Sequence, residues 1–108
     1  MKITDKILLK NGYREFEVNK LFHPYANRLF QKRFRNEKGQ TKYFISFYEY
    51  IHEDSVNYEV GLQFEKDKYV MNIQMFAIDD EMTLEEIERE VYKIWYGFDC
   101  KYYDYEEE

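Results

Sequence analysis

The chain has 108 residues, a formal net charge of −6 and a hydrophobic fraction of 44%, which is enough for one domain with a modest core. That fraction argues against disorder, and no run approaches the ~20 apolar residues of a membrane-spanning helix. The aromatic residues make up 20% of the chain, so much of the core must consist of rings.

Cysteine content and the N-terminal sequence predict the compartment. Cys100 is the only cysteine, so the chain can form no internal disulfide. Asp5, Lys6 and Lys10 interrupt the apolar patches at the N-terminus, which therefore lacks the pattern of a secretion signal. We expect a cytoplasmic protein of one domain, 1–108, ending in an acidic, tyrosine-rich tail over 99–108.

The first 27 residues predict a short helix, a weak strand and a loop. In "ITDKILLKNGY", Thr4 can cap the helix, and Gly12 can end it because glycine takes positive φ without strain. The segment "YREFEV" weakly favours a strand. The segment "NKLFHPYAN" contains the only proline, which indicates a loop or bend.

Two longer segments, "RLFQKRFRN" (28–36) and "TKYFISFYEYI" (41–51), predict a β-hairpin around a turn at Gly39. A register that keeps one face apolar pairs Asn36 with Thr41, Phe34 with Tyr43, Phe30 with Phe47, and Arg28 with Glu49. A shift by one residue would place Phe34 opposite Lys42 and break that face.

A second hairpin follows, since 58–65 and 68–78 both alternate apolar and polar residues. A turn at Lys66 and Asp67 predicts pairing of Phe64 with Tyr69, Leu62 with Met71, and Val60 with Ile73. The inward residues of the second strand would then be Tyr69, Met71, Ile73, Met75 and Ala77.

The strongest helix signal is "MTLEEIEREVYKIWYGF", where Thr83 and Glu86 form a capping box. One apolar stripe runs along it, consisting of Leu84, Ile87, Val91, Ile94, Trp95 and Phe98. The sequence therefore predicts an α+β fold. It consists of a four- or five-stranded antiparallel sheet with one face covered by the C-terminal amphipathic helix, plus a short N-terminal helix.

Charge is distributed unevenly along the chain. Residues 1–78 carry a net charge of +3, and residues 79–108 carry −9. The first hairpin carries six basic residues and, facing them, a single acid. The basic residues are Arg28, Lys32, Arg33, Arg35, Lys38 and Lys42. One interpretation is internal neutralisation, in which the basic hairpin lies near the acidic end.

A second interpretation is a protein partner bound by the acidic aromatic end. The candidate partner-binding residues are Asp99, Tyr102, Tyr103, Asp104, Tyr105 and Glu106. Tyrosine suits an interface because it buries a large area at low entropic cost, and the acids would favour a partner with a basic nucleic-acid groove. A frayed, solvated terminus is the simpler alternative for the last three glutamates.

A third interpretation is a single-stranded nucleic-acid-binding module that uses the basic hairpin and the sheet face opposite the helix. Its candidate residues are Gln31, Arg33, Arg35, Phe44 and Tyr48, with Gln63, Asn72 and Gln74 on the same face. Rings among Arg, Gln and Asn are what a stacking platform needs, although the net charge of −6 opposes a polyanion. Phe44 could instead pack under the first helix.

Catalytic and metal-binding patterns are weak in this sequence. His52, Glu53 and Asp54 fit a solvated turn better than a metal site, and Cys100 fits a small apolar residue better than a nucleophile. The four glycines stand apart and form no phosphate loop. We expect no enzyme activity, no metal and no cofactor.

The chain resembles the small, acidic α+β proteins of phages and mobile elements of AT-rich bacteria. The resemblance rests on "LLKNGYREF", "GQTKYFISFY" and "TLEEIEREVYKIW". Since many such proteins occlude a host or defence protein, anti-CRISPR proteins among them, it implies an inhibitor of a host protein such as a CRISPR effector. We expect this chain itself to be a monomer or a weak homo-oligomer. A structural, self-assembling phage component is a further alternative.

Overall fold

The computed structural model describes residues 2–78 and 81–107, with side chains described as far as Phe98. The helices and strands, in chain order, are α1 (Asp5–Lys10), β1 (Arg14–Phe16), β2 (Arg28–Arg35), β3 (Thr41–His52), β4 (Ser55–Lys66), β5 (Tyr69–Ala77) and α2 (Leu84–Glu107). The five strands form one antiparallel sheet in the order β1-β2-β3-β4-β5. The α+β prediction is confirmed, with five strands.

Both helices begin at the predicted caps. The Thr4 hydroxyl accepts a hydrogen bond from the Ile7 amide at 3.3 Å, and Gly12 follows α1 with a φ of 92°. Before α2, the Glu86 amide donates to the Thr83 hydroxyl at 3.1 Å, while the Thr83 amide donates to the Glu86 carboxylate at 3.3 Å. These reciprocal bonds satisfy two amides that would otherwise have no partner in the first turn.

The predicted register of β2 and β3 is confirmed over most of its length. Arg28 pairs with Glu49, and two apolar pairs follow, Phe30 with Phe47 and Phe34 with Tyr43. The predicted pair of Asn36 and Thr41 is wrong, because the register shifts after Phe34 and Arg35 pairs with Thr41 instead. The shift leaves Lys42 as the extra residue of a bulge.

The predicted register of β4 and β5 is wrong by two residues, since Phe64 pairs with Met71 and Leu62 pairs with Ile73. The turn consists of Asp67 and Lys68, whose φ angles of 51° and 72° are those of a type I′ turn.

A shift of two residues keeps every side chain on its predicted face, so Tyr69, Met71 and Ile73 still point toward the helix side. Farther along, a second register shift pairs Val60 with Phe76 and Glu59 with Ala77. The inward placement predicted for Ala77 is therefore wrong, because Phe76 takes the core side and Ala77 is exposed. Met75, the extra residue of this shift, packs against the core as predicted.

The core lies between the sheet and α2. Ile87 and Val91 of α2 are fully buried, and the Trp95 ring lies 4.9 Å from the ring of Tyr43. Ile94 and Phe98 remain 38% and 48% exposed, so the predicted stripe overstates how much of α2 is buried. In the described part of the chain, no helix is both long and apolar enough to span a membrane.

A buried ion pair joins β2 to β3. The Glu49 side chain is 2% exposed, and its carboxylate accepts two hydrogen bonds from Arg28, each 2.8 Å long. The Tyr58 hydroxyl and the Asn27 side-chain amide donate two more, at 2.7 and 2.9 Å. Burial alone would raise the pKa of Glu49, but the hydrogen bonds from its three partners outweigh burial and lower that pKa to about 2.

We predict that Glu49→Gln destabilises the fold by about 3 kcal/mol at pH 7, because Arg28 loses its main counter-charge inside the structure. A carboxyl with a lowered pKa stabilises the folded state above its unfolded pKa, near 4.5, and loses that contribution as the pH falls toward 2. Urea unfolding at several pH values measures both effects. The variant should lose less stability than wild type between pH 4.5 and 2.

Glu37→Gln, at an exposed turn residue, is the matched control and should behave like wild type. Equal stability of Glu49→Gln and wild type at pH 7 would contradict the role of the ion pair.

Candidate functional site

The two helices cover the same face of the sheet. Leu8 of α1 and Ile87 of α2 belong to one buried cluster with Phe47 of β3. Between the helices, the Tyr13 ring packs edge-on against Phe47 at 5.1 Å, and its hydroxyl donates to Glu88 of α2 at 2.9 Å. No helix of the described residues lies on the opposite surface of the sheet, and we call this surface the open face.

The five residues of the predicted nucleic-acid site lie together on the open face. Arg33 pairs with Phe44 across β2 and β3, and Gln31 and Arg35 stand two residues to either side of Arg33. Tyr48 belongs to the same face of β3, four residues from Phe44. Phe44 is half-buried among open-face residues, so the alternative that it packs under α1 is wrong.

A cleft of about 360 Å³ lies over β1, β2 and β3, and we call it the basic cleft. Its lining residues are Gly12, Arg14, Phe16, Gln31, Lys32, Arg33, Arg35 and Phe44. Three guanidinium groups line it, and no carboxylate does so among the described residues. The basic cleft is therefore a positive surface that contains two rings, and the Phe16 ring is half exposed.

Sequence reasoning missed Arg14 and Phe16. They lie on β1, where Arg14 pairs with Gln31 and Phe16 pairs with Leu29. The alternation in "YREFEV" is the signal that could have placed them on this face.

A larger cleft of about 640 Å³ lies beside the basic cleft, and we call it the amide cleft. Its lining residues are Glu17, Asn19, Phe22, His23, Leu29, Ser46, Tyr48, Gly61, Leu62, Gln63, Asn72, Ile73 and Gln74. The loop 17–27 forms one wall. His23 from that loop stacks on the Tyr48 ring at 4.1 Å, and the neighbouring Phe22 is 77% exposed.

A hydrogen-bonded row of side chains connects the two clefts. The Gln31 amide donates to the Ser46 hydroxyl at 3.0 Å and to the Gln63 carbonyl oxygen at 3.1 Å. The row crosses β2, β3 and β4 and fixes the orientation of both glutamine amides. Burial raises the pKa of Tyr48, although its hydrogen bond with Ser46 acts in the opposite direction.

The basic residues of the first hairpin divide between the two faces. Lys32 faces α2, where its Nζ lies 3.9 Å from Glu88 and 5.1 Å from the centre of the Phe34 ring. Lys42, the bulge residue, reaches the same side and lies 5.5 Å from the Trp95 ring centre. Arg33 and Arg35 have no carboxylate partner among the described residues.

Internal neutralisation therefore accounts for part of the charge asymmetry. Arg28 and Lys32 lie against carboxylates, and Lys42 lies against rings of α2 and β3. The same interpretation gives no role to the two arginines on the open face.

The predicted partner-binding residues Asp99, Tyr102, Tyr103, Asp104, Tyr105 and Glu106 fall outside the side chains that the structure describes. The α2 backbone itself is helical through Glu107. Just before them, the Tyr92 and Tyr96 rings stack at 5.9 Å, and both rings are about half exposed.

The residues considered for a metal, His52, Glu53 and Asp54, are exposed at the turn between β3 and β4. Over the described residues, no group of three or more His, Cys, Asp or Glu side chains is arranged to hold a metal ion. Cys100 falls outside the described side chains.

Comparisons with family models, with curated proteins and with solved structures found no match to this chain. Its function is therefore inferred from the chemistry of the two clefts.

We predict that Gly61→Val displaces the Tyr48 ring. A β-carbon on Gly61 would lie 3.3 Å from Cε2 of Tyr48 and 3.5 Å from the Ile73 carbonyl oxygen, and valine adds two methyl groups. Overpacking of this kind costs about 1–3 kcal/mol. Urea unfolding measures that cost, and nuclear Overhauser contacts between the rings of His23 and Tyr48 report the displacement.

Gly97→Ala is the control, since no atom lies within 4 Å of a β-carbon there and alanine favours a helix. It should stabilise the protein by up to about 1 kcal/mol. If the contacts between the rings of His23 and Tyr48 are the same in Gly61→Val and in wild type, the position of Tyr48 does not depend on the missing side chain at Gly61.

Proposed function

We propose that the protein binds single-stranded nucleic acid on the open face. The observation that carries this proposal is the basic cleft, in which three arginines and two rings meet without a carboxylate. The amide cleft continues the same face with side chains able to contact bases. The proposal treats the protein as a binding module without catalytic activity.

The arginines supply the attraction for phosphate. Arg14, Arg33 and Arg35 surround one cleft, and guanidinium groups bind phosphate oxygens in bidentate geometry. Each phosphate neutralised on a single strand makes the logarithm of the binding constant fall by about 0.7 per logarithmic unit of salt. Three contacts therefore give a slope near −2.

The acidic residues of α2 oppose this attraction only weakly. Glu85 and Glu90 are exposed on α2, which lies on the other face of the sheet. An α-helix is about 10 Å across with its side chains, and the Debye length at physiological salt is about 8 Å. The net charge of −6 is therefore compatible with a positive cleft on the far side of the sheet.

The rings favour a single strand over a duplex. Phe16 of β1 and Phe22 of the loop 17–27 are 48% and 77% exposed, whereas Phe44 and Tyr48 are half-buried and Tyr48 already stacks with His23. Stacking needs a free base face, which a duplex does not offer, and contributes about 1–3 kcal/mol per base. The exposed rings of Phe16 and Phe22 therefore provide places for one or two bases.

The amides add a modest base preference. Gln63 accepts a hydrogen bond from Gln31 through its carbonyl oxygen, so its NH₂ group is directed to donate. Asn72 lines the same cleft and can both donate and accept. An NH₂ donor favours bases with exposed carbonyl oxygens, such as thymine and uracil.

We predict that wild type binds labelled oligothymidylate and oligouridylate in low salt more tightly than a duplex of equal length, as measured by fluorescence anisotropy. The double variant Arg33→Gln/Arg35→Gln should weaken binding at least tenfold and reduce the salt slope by about 1.4. Phe22→Ala should weaken binding by about 1–3 kcal/mol at every salt concentration, because Phe22 is 77% exposed in the amide cleft and stacking is not ionic.

Lys42→Gln is the matched control for charge, since it removes one positive charge from the same hairpin on the α2 side. Its affinity should stay within twofold of wild type. No binding to any single strand at low salt would overturn the proposal. Equal losses of affinity in Lys42→Gln and in Arg33→Gln/Arg35→Gln would overturn it as well.

A second candidate function is inhibition of a host or defence protein through the C-terminal part of α2. It is supported by the exposed, stacked rings of Tyr92 and Tyr96, which lead into the acidic stretch that starts at Asp99. An acidic, ring-bearing helix suits a partner with a basic groove.

Capture of a partner from host lysate, compared between wild type and a chain that stops after Cys100, tests this second function. The truncated chain should lose the partner. The variant Glu53→Gln/Asp54→Asn, which removes two acids from the turn between β3 and β4, should keep it. Unchanged capture by the truncated chain would rule out this surface.

A further inference from the structure

The strand β5 lies at one edge of the sheet, next to β4 only. It is nine residues long, so one row of its backbone N–H and C=O groups has no partner strand in the described chain. The other edge, β1, is only three residues long and carries Arg14 and Glu15. Short length and charge are the usual protections of an edge strand against pairing with another chain.

Charge protection is absent from β5. The stretch 69–78 contains no Asp, Glu, Lys or Arg and no proline, and it is the longest uncharged run in a chain that is 35% charged. Natural proteins seldom leave such a strand at an exposed edge unless it pairs with another strand.

The helix-side face of β5 is also incompletely covered. Tyr69 is 73% exposed and Met71 is 39% exposed, although both have the same orientation as the buried Phe64 of β4. On the neighbouring strand β4, the ring of Phe64 is instead covered by Phe98 of α2 at 6.0 Å. An apolar strip therefore continues from the core to the edge.

We infer that β5 pairs with β5 of a second copy of this chain, antiparallel and about a two-fold axis, to form one ten-stranded sheet. The start of β5 at Tyr69 and the register shift near Met75 limit a symmetric pairing to 69–73. With the axis at Met71, Tyr69 lies opposite Ile73 of the second copy, and both strands direct their apolar residues to the helix side.

A second copy suits this edge because the strand is neutral and self-complementary. No like charges face each other in the pair, and a charged peptide would find no charged side chain on β5 to bind. Closed two-fold dimers are the commonest assembly of soluble chains, and sheet extension buries both exposed edges at once.

Sedimentation equilibrium over a range of protein concentrations tests the inference. Wild type should associate to twice its 13.5 kDa mass. In Tyr69→Glu, the new carboxylate lies opposite Lys66 within the monomer, which favours the fold, but it faces Ile73 across the dimer. The dissociation constant of this variant should rise at least tenfold.

The matched control is Tyr25→Glu, which makes the same change at a tyrosine that is 86% exposed in the loop 17–27. It should dimerise like wild type. Because both copies carry a charge of −6, dimerisation should strengthen with salt, whereas nucleic-acid binding should weaken. Tyr69 lies on the helix side, so Tyr69→Glu should also leave oligonucleotide affinity unchanged.

Amide hydrogen exchange on wild type supplies a second measurement that needs no variant. The amides in 69–73 that face the second copy should exchange more slowly at high than at low protein concentration. The inference is overturned if wild type stays monomeric at every concentration, if Tyr69→Glu and wild type dimerise equally, or if the control loses dimerisation as well. None of these results bears on whether the open face binds nucleic acid.

Discussion

The buried carboxylate of Glu49 is the constraint on which the rest of the structure depends. Arg28 binds it with two hydrogen bonds, and the remaining donors come from the end of the loop 17–27 and from β4. Arg28 also reaches Asp5 of α1 at 3.1 Å and Glu15 of β1 at 3.4 Å. One ion pair therefore connects six consecutive segments of the chain and allows only one register of β2 on β3.

Register decides which residues face which side, and hence the chemistry of each face. Since strand side chains alternate, the pairing of Arg28 with Glu49 directs Lys32 toward α2 and Arg33 and Arg35 toward the open face. The bulge at Lys42 is the one exception, and it moves a further positive charge to the helix side. The basic hairpin thus serves two purposes, which are attraction of the acidic helix and formation of the basic cleft.

The sequence predicted two kinds of feature: those with a local signal, such as a helix cap, and those in which charged pairs and alternating apolar residues indicate the same register. The caps of both helices and most of the first hairpin followed from such signals. The second hairpin did not, because Asp67 and Lys68 take positive φ without the glycine or asparagine that marks a type I′ turn. The register shift near Met75 gave no signal either, since Met75 and Phe76 are both apolar.

The candidate site was predictable only in part. Alternation along β2 and β3 was enough to place Arg33, Arg35, Phe44 and Tyr48 on one face. Arg14 and Phe16 were missed because β1 is too short to give a strong strand pattern. The stacking of His23 on Tyr48 depends on how the loop 17–27 folds over the sheet, which no local pattern encodes.

The most direct test of single-strand binding on the open face is to map which residues change their NMR signals when a single strand is added. Titration of isotope-labelled protein with oligothymidylate, followed by NMR, provides that map. The account predicts shifts concentrated at Arg14, Arg33, Phe44 and Tyr48, with α2 unaffected. Shifts centred on the exposed side of α2, or none at all, would contradict it.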